Sequence, residues 1–225
     1  MSPLPRRILQ GAGLLAAVGL LAAGTLSVVD LLTAERIAQA EREAQLRALA
    51  VVLPQELYDN DPITDSIAVV APFWLGSDRP LPVRRARLNG KPSVLVLDSI
   101  APDGYSGEIR LIIGVDRDGV ITGVRVTGHH ETPGLGDKIE AGRSDWITRF
   151  SGLSTDNVPE AEWRVRKDGG TFDQFAGATI TPRAVVRAVH RTLVFVERNG
   201  DQLFAAAPGE TLFFGDAPDQ FGAKK

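Results

Sequence analysis

The sequence predicts an α+β protein, in which a single apolar N-terminal helix precedes a domain of antiparallel strands with packed helices. Three observations predict it. Residues 8–29 contain no charged side chain. Two pairs of strand-patterned segments flank the turn sequences Asn89-Gly90 and Asp116-Arg117-Asp118-Gly119. Behind Thr181-Pro182, the residues Val185, Val186, Val189, Leu193 and Val196 recur at helical spacing.

Taken in order, the apolar run is about 22 residues, close to one bilayer crossing. Arg6 and Arg7 precede it and Asp30 follows, so the positive-inside rule keeps residues 1–7 in the cytoplasm and sends the rest across. A cleaved signal peptide is the rival reading, but the run exceeds a usual signal core, and an uncleaved transmembrane helix over 8–29 is preferred. Residues 30–54 read as a helical stalk: Leu31, Leu32, Ile37, Leu46, Leu49 and Val52 mark its apolar side, and Pro54 ends it. The heptads are too few for a coiled coil.

The globular domain is placed at 55–205, followed by a tail at 206–225. Within it, residues 83–88 and 93–97 form one hairpin candidate, and 107–115 with 120–127 a second. Ser144 and Asp145 cap a short helix over 146–150. Residues 162–165 and 171–175 suggest a further hairpin around Lys167-Asp168-Gly169-Gly170. Thr181 is read as an N-cap with Pro182 as the first helical residue, and Asn199-Gly200 as the stop.

The 225 residues carry a formal net charge of -3, so no basic excess argues for nucleic acid. The chain has no cysteine, which excludes disulfides, cysteine-held iron–sulfur clusters and thioether-bound haem. Three histidines leave little for a protein-made metal site. His129 and His130 are adjacent, and neighbours on a strand point to opposite faces, so a packing or surface role is the default for both.

Two stretches carry chemical content. In Gly128-His129-His130-Glu131-Thr132-Pro133-Gly134-Leu135-Gly136, proline fixes one dihedral and the glycines permit unusual ones, leaving backbone amides free to face a planar ligand. In Asp173-Gln174-Phe175-Ala176-Gly177-Ala178-Thr179, a small-residue loop feeds a helix start. Thr179 then sits just ahead of a helix N-terminus, where free N–H groups and the dipole favour a phosphate; the alternative is a plain strand-to-helix turn with small residues for packing, and spacing alone favours that alternative.

The second stretch resembles the flavinylation motif of FMN-binding domains in bacterial respiratory complexes. Asp173 opens the motif, Gly177 and Ala178 match it, and Thr179 stands at the acceptor; Ala176 departs, where a Ser or Thr is usual. The two stretches together, with Tyr105-Ser106-Gly107 and Ser144-Asp145-Trp146, are similar in order to the G-subunit family of the Rnf electron-transport complexes. That resemblance implies an α+β FMN-binding domain bearing FMN on Thr179 through a phosphodiester, with a flavin transferase for maturation. It implies other membrane and peripheral subunits as partners, in a bacterial inner-membrane translocase moving electrons between ferredoxin and NAD. The domain would then face the periplasm. The related C subunit of sodium-pumping NADH:quinone reductases shares the motif and is the alternative family; a flavin-bearing redox sensor is a third reading.

For the implied flavin, Glu131, Thr132, Asp173 and Thr181 are the polar candidates near the ring or its ribityl chain. Leu135, Gly136, Gly177 and Ala178 are candidates for packing, and Lys138 either offsets charge on the reduced cofactor or is simply a surface lysine. No catalytic acid–base set stands out, and electron transfer needs none.

Overall fold

The order of strands in the sheet explains where the core lies. In the computed structural model, residues 49–215 are described continuously, and before them residues 12, 13, 15–27, 32, 33, 36, 42, 43 and 46. The chain divides into two compact units, Met1–Arg47 and Ala48–Lys225.

In the first unit, the described residues are helical. Leu15, Leu20, Leu21 and Leu26 are each about three-quarters exposed. Among the described residues no helix is long and apolar enough to cross a membrane. The predicted span at 8–29 and most of the stalk include residues outside those described.

The second unit is built on six strands: β1 (Ser66–Val70), β2 (Leu81–Leu88), β3 (Lys91–Gly104), β4 (Gly107–Asp116), β5 (Ile121–Gly128) and β6 (Thr211–Phe213). Their spatial order is β5-β4-β3-β2-β1-β6. The neighbours from β1 to β5 pair antiparallel, but β6 runs parallel to β1, so the sheet is mixed rather than wholly antiparallel. The reason is topological: the chain returns from the far end of a long helix and enters the sheet beside β1 in the same direction.

Two helices accompany the sheet, α1 (Pro72–Leu75) and α2 (Ile180–Ala205). Helix α2 covers one face, where Leu95, Leu97, Leu111, Ile113 and Val115 meet Val185, Val189, Leu193 and Phe195. On the other face Leu49, Val52 and Leu53, at the end of the expected stalk, pack on Val94, Val96 and Ile112. Burial on both faces is why the middle of β3 and β4 reads as a continuous apolar run instead of an alternation. Gly114 leaves room for this second layer, since a Cβ there would lie 2.4 Å from the Val52 carbonyl oxygen.

Two expectations about local structure are overturned. The hairpin expected around Lys167–Gly170 is instead a pair of 3₁₀ turns, Glu160–Glu162 and Arg166–Asp168, with one isolated parallel bridge between Val165 and Phe172 on either side of the second turn. Gly169 takes φ 85° to close the second turn, and Gly170 lies so close to Arg164 that the chain folds back on itself without a ladder. Helix α2 also runs through Asn199-Gly200 to Ala205. Asn199 donates its side-chain amide to the Phe195 carbonyl, and a buried Arg85 collects the helix's last carbonyls.

Candidate functional site

The loop after β5, the β3–β4 turn and the start of α2 meet in one cleft of about 350 Å³. It is lined by Tyr105, Glu131, Thr132, Leu135, Gly136 and the run 177–181.

Thr179 occupies the N-cap position of α2, with φ −77° and ψ −29°, and its hydroxyl makes no capping hydrogen bond. This corrects the assignment of Thr181 as the cap. Thr181 lies inside the first turn, fully buried, and its hydroxyl donates to the Glu131 carboxylate. Pro182 fits the first turn for the reason expected: an N–H there has no intrahelical partner to lose. The hydroxyl nearest the helix end is thus half-exposed and uncommitted, while its rival two residues on is committed.

The glycine ahead of the acceptor has a backbone reason. The N–H of Ala178 donates to the Phe175 carbonyl at 3.1 Å, closing a β-turn whose third residue, Gly177, has φ 79°. That conformation suits glycine, as in type II turns. A Cβ at Gly177 would touch Leu135 at 3.5 Å, so the absent side chain also keeps the cleft open.

Glu131 is the one charged group in the lining, and it is only 4% exposed. Its carboxylate accepts from the Ser106 backbone N–H at 2.9 Å and from Thr181. One side chain thereby ties the β3–β4 turn and the loop after β5 to the start of α2. Gly136 is what lets it lie there: a Cβ at 136 would come within 2.9 Å of Glu131 and 3.0 Å of the Thr181 hydroxyl. His129 braces the same loop. Its Nδ1 accepts from the Glu131 N–H at 3.0 Å, so the neutral ring carries its proton on Nε2, which faces Glu140 at 2.6 Å.

Of the residues singled out in the sequence, Glu131, Thr132, Leu135, Gly136, Gly177, Ala178, Thr179 and Thr181 line the cleft. Asp173 and Lys138 do not. Asp173 pairs with Arg149 and Arg166, and its carbonyl accepts from Trp146 Nε1 at 2.8 Å, so it anchors the beginning of the motif. Lys138 sits on a 3₁₀ turn, where its carbonyl accepts from the Ser144 hydroxyl. Two lining residues are absent from the sequence-based set. Tyr105 and Ile180 are 67% and 44% exposed and, with Leu135 at 42%, give the cleft an apolar rim. Large apolar side chains left in water around a small-residue backbone suit a flat, largely apolar ligand.

Comparison with known proteins adds to this geometry. The FMN-binding domain profile matches residues 104–194, and a profile described as the RnfG N-terminal region matches residues 1–52. The G subunit of the ion-translocating oxidoreductase complex of Pseudomonas aeruginosa is 52% identical over 162 residues, covering 72% of this chain and 76% of that one. Its counterpart in Pectobacterium atrosepticum is 54% identical over 153 residues, covering 68% and 73%. The chain belongs to the G-subunit family of ion-translocating oxidoreductase complexes. Among solved structures, the crystal structure of the C subunit of the Na(+)-translocating NADH-quinone reductase from Parabacteroides distasonis is 25% identical with a TM-score of 0.41, covering 55% of this chain and 64% of that one.

In this G-subunit family member the cleft fits the cofactor implied by the matched domain. The hydroxyl at the helix end is available for a phosphate, the first turn of α2 presents its positive dipole there, and the apolar rim matches a flavin's ring system.

Proposed function

We propose that this chain is the FMN-bearing electron-transfer subunit of a Rnf-type ion-translocating complex, with the flavin joined through its phosphate to the Thr179 hydroxyl. Family membership supports the first half of the reading. The second half is carried by one observation: Thr179 sits at the N-cap of a 26-residue helix with its hydroxyl uncommitted, at the edge of the apolar cleft. Bound FMN supplies one- and two-electron chemistry that no side chain here offers.

The chain's own residues do the rest. Thr179 would offer the nucleophilic oxygen: its new ester bond to the flavin phosphorus would replace the pyrophosphate P–O bond of a flavin dinucleotide donor held by a flavin transferase, with the nucleoside monophosphate leaving and the hydroxyl proton passing to water. The helix N-terminus would stabilise the negative charge that the diester keeps. Gly177 and Gly136 clear the approach, Leu135, Ile180 and Tyr105 supply apolar contact, and Glu131 holds the loop and the helix start together.

Placement follows the same reading. An exposed row of leucines over 15–27 in a helix, behind Arg6-Arg7, supports an anchor in the inner membrane with the domain on the periplasmic side. A covalent tether has a purpose there, since a free cofactor would diffuse away. Other subunits of the complex are the partners.

The test is peptide mass spectrometry on protein co-produced with a flavin transferase. A flavin phosphate on the Thr179 peptide is expected, lost entirely in Thr179→Val and kept in part in Thr179→Ser. Thr181→Val should retain the flavin. An unmodified Thr179 peptide, or flavin on Thr181, ends the assignment.

A further inference from the structure

Helix α2 is mostly buried, and past the exposed Ile180 what its first three turns show to water is mainly arginine. Arg183, Arg187 and Arg191 stand four residues apart, with Arg164 across from them on the 3₁₀ loop, along a groove of about 720 Å³ that also meets Phe73 and Trp163. Four arginines face two carboxylates there, Glu160 and Asp168, in a chain whose net charge is negative. Like charges at this helical spacing repel, so the stripe weakens the helix that carries it. Two of its members are balanced by the protein itself: Arg183 holds Asp168 through two hydrogen bonds, and Arg187 pairs with Asp103 at 2.8 Å.

Arg191 and Arg164 are different. The Arg191 guanidinium lies 5.8 Å over the Phe73 ring, its Nε is buried without a hydrogen-bond partner, and burial lowers its proton affinity from the usual value. Arg164 is exposed, and no ion pair holds it among the described residues.

We propose that this groove docks an acidic segment of a partner subunit beside the flavin cleft, a reading that rests on the electron-transfer role above. The stripe begins in the first turn of α2, so Arg187 lies about 12 Å along the axis from Thr179 and Arg191 about 18 Å. A partner seated there lies next to the cleft from which electrons must leave. The three helix arginines extend over about 12 Å, further than a single phosphate can bridge, so a run of carboxylates matches them better than a small anion does. The groove is recessed between α1, the loop at 160–168 and α2, which suits an inserted segment better than a flat lipid surface. Complementary charge of this kind steers encounter and orients the partner.

The test uses the full-length chain carrying an affinity tag, in the detergent-solubilised complex. The double variant Arg164→Glu/Arg187→Glu should keep wild-type in-gel flavin fluorescence while retaining the other subunits about tenfold less well. Wild-type retention should fall as salt rises from roughly 50 to 300 mM, and the variant's should be nearly flat. If the reversal impairs folding, Arg164→Gln/Arg187→Gln should show a smaller loss in the same direction with an unchanged circular-dichroism spectrum. Unaltered retention and salt dependence in a folded variant overturns the proposal. So does a defect confined to binding phosphatidylglycerol vesicles, which assigns the stripe to lipid. Absent flavin in the wild type would defeat the flavin assignment instead, and the retention measurement would still decide the docking one.

Discussion

The two ends of α2 are built to opposite specifications. At the C-terminal end two arginine side chains take up backbone carbonyls. Arg85, 1% exposed, donates to the carbonyls of Leu203, Phe204 and Ala206, and Arg87 donates to Phe204 as well. Asp65 then pairs with both arginines. At the N-terminal end the cap position holds Thr179, whose hydroxyl makes no capping bond, and the nearest carboxylate is spent on Thr181. A helix end satisfies its free backbone groups with side chains, water or a ligand. One end of α2 is closed by side chains of the protein, and the other keeps an uncommitted hydroxyl at its cap position.

The largest expected effect comes from opening the closed end. Arg85→Met keeps an apolar stem in the core but removes the guanidinium from the Leu203 and Ala206 carbonyls, leaves Phe204 with Arg87 alone, and leaves Asp65 with Arg87 and Asn60. Breaking a buried pair from one side costs about 3–5 kcal/mol. Urea denaturation should show that loss. A destabilisation under about 1 kcal/mol would mean that water replaces the guanidinium, and that the contrast between the ends is weaker than the hydrogen bonds suggest.

The open end is probed by two glycines two residues apart. Gly136→Val drives a side chain into Glu131 and Thr181, so the strut between loop and helix breaks, at about 1–3 kcal/mol. Flavin attachment to Thr179 should fall with it. Gly134 has φ 80°, but a Cβ there would meet nothing within 4 Å, so Gly134→Val carries backbone strain alone, about 1 kcal/mol. Flavin per folded protein, read from absorbance after gel filtration, should drop for position 136 and hold for position 134. Equal effects would show that the loop responds to strain in general and that Glu131 has no special part.

This pair also shows how much can be read from the sequence. Local signals mark Gly177 and the loop at 131–136, namely a turn that needs positive φ, a proline and a helix start, but it is the resemblance to the flavinylation motif that singles out Thr179. The role of Thr181 is hidden because its partner, Glu131, is 50 residues away, and N-cap preference is only a local rule. Tyr105 and Ile180 escape because nothing in an isolated Tyr or Ile says that the fold leaves it in water. The same division holds for the fold. Strands β2 to β5 declare themselves by runs of apolar and β-branched residues and by the turns between them, such as Asn89-Gly90, where Asn89 takes φ 53°. Strand β6 spans only Thr211–Phe213 and gains its meaning by lying parallel to β1, a pairing between distant parts of the chain that no local window detects.

The smallest expected effect lies between the two ends, and it serves as a control on both. His190 sits midway along α2, its ring stacked on Trp163 at 5.1 Å, and burial pushes its pKa down to about 4 from 6.5. The sign follows from proton uptake. Well above pH 6.5 the ring is neutral whether the chain is folded or unfolded, so it contributes nothing that varies. As pH falls from 6.5 toward 4, the unfolded chain binds a proton that the folded one refuses, and stability declines; below about 4 both states are protonated and the decline stops. Between about pH 7 and pH 6 the loss is roughly 0.7 kcal/mol. Replacing His190 with Gln should flatten that segment of the stability–pH curve while leaving flavin attachment at wild-type level, because neither end of the helix is touched. A variant that keeps the slope places the titrating group elsewhere. A variant that loses the flavin would show that the middle of α2 and its open end act as one unit, and the separation of the two ends would have to be given up.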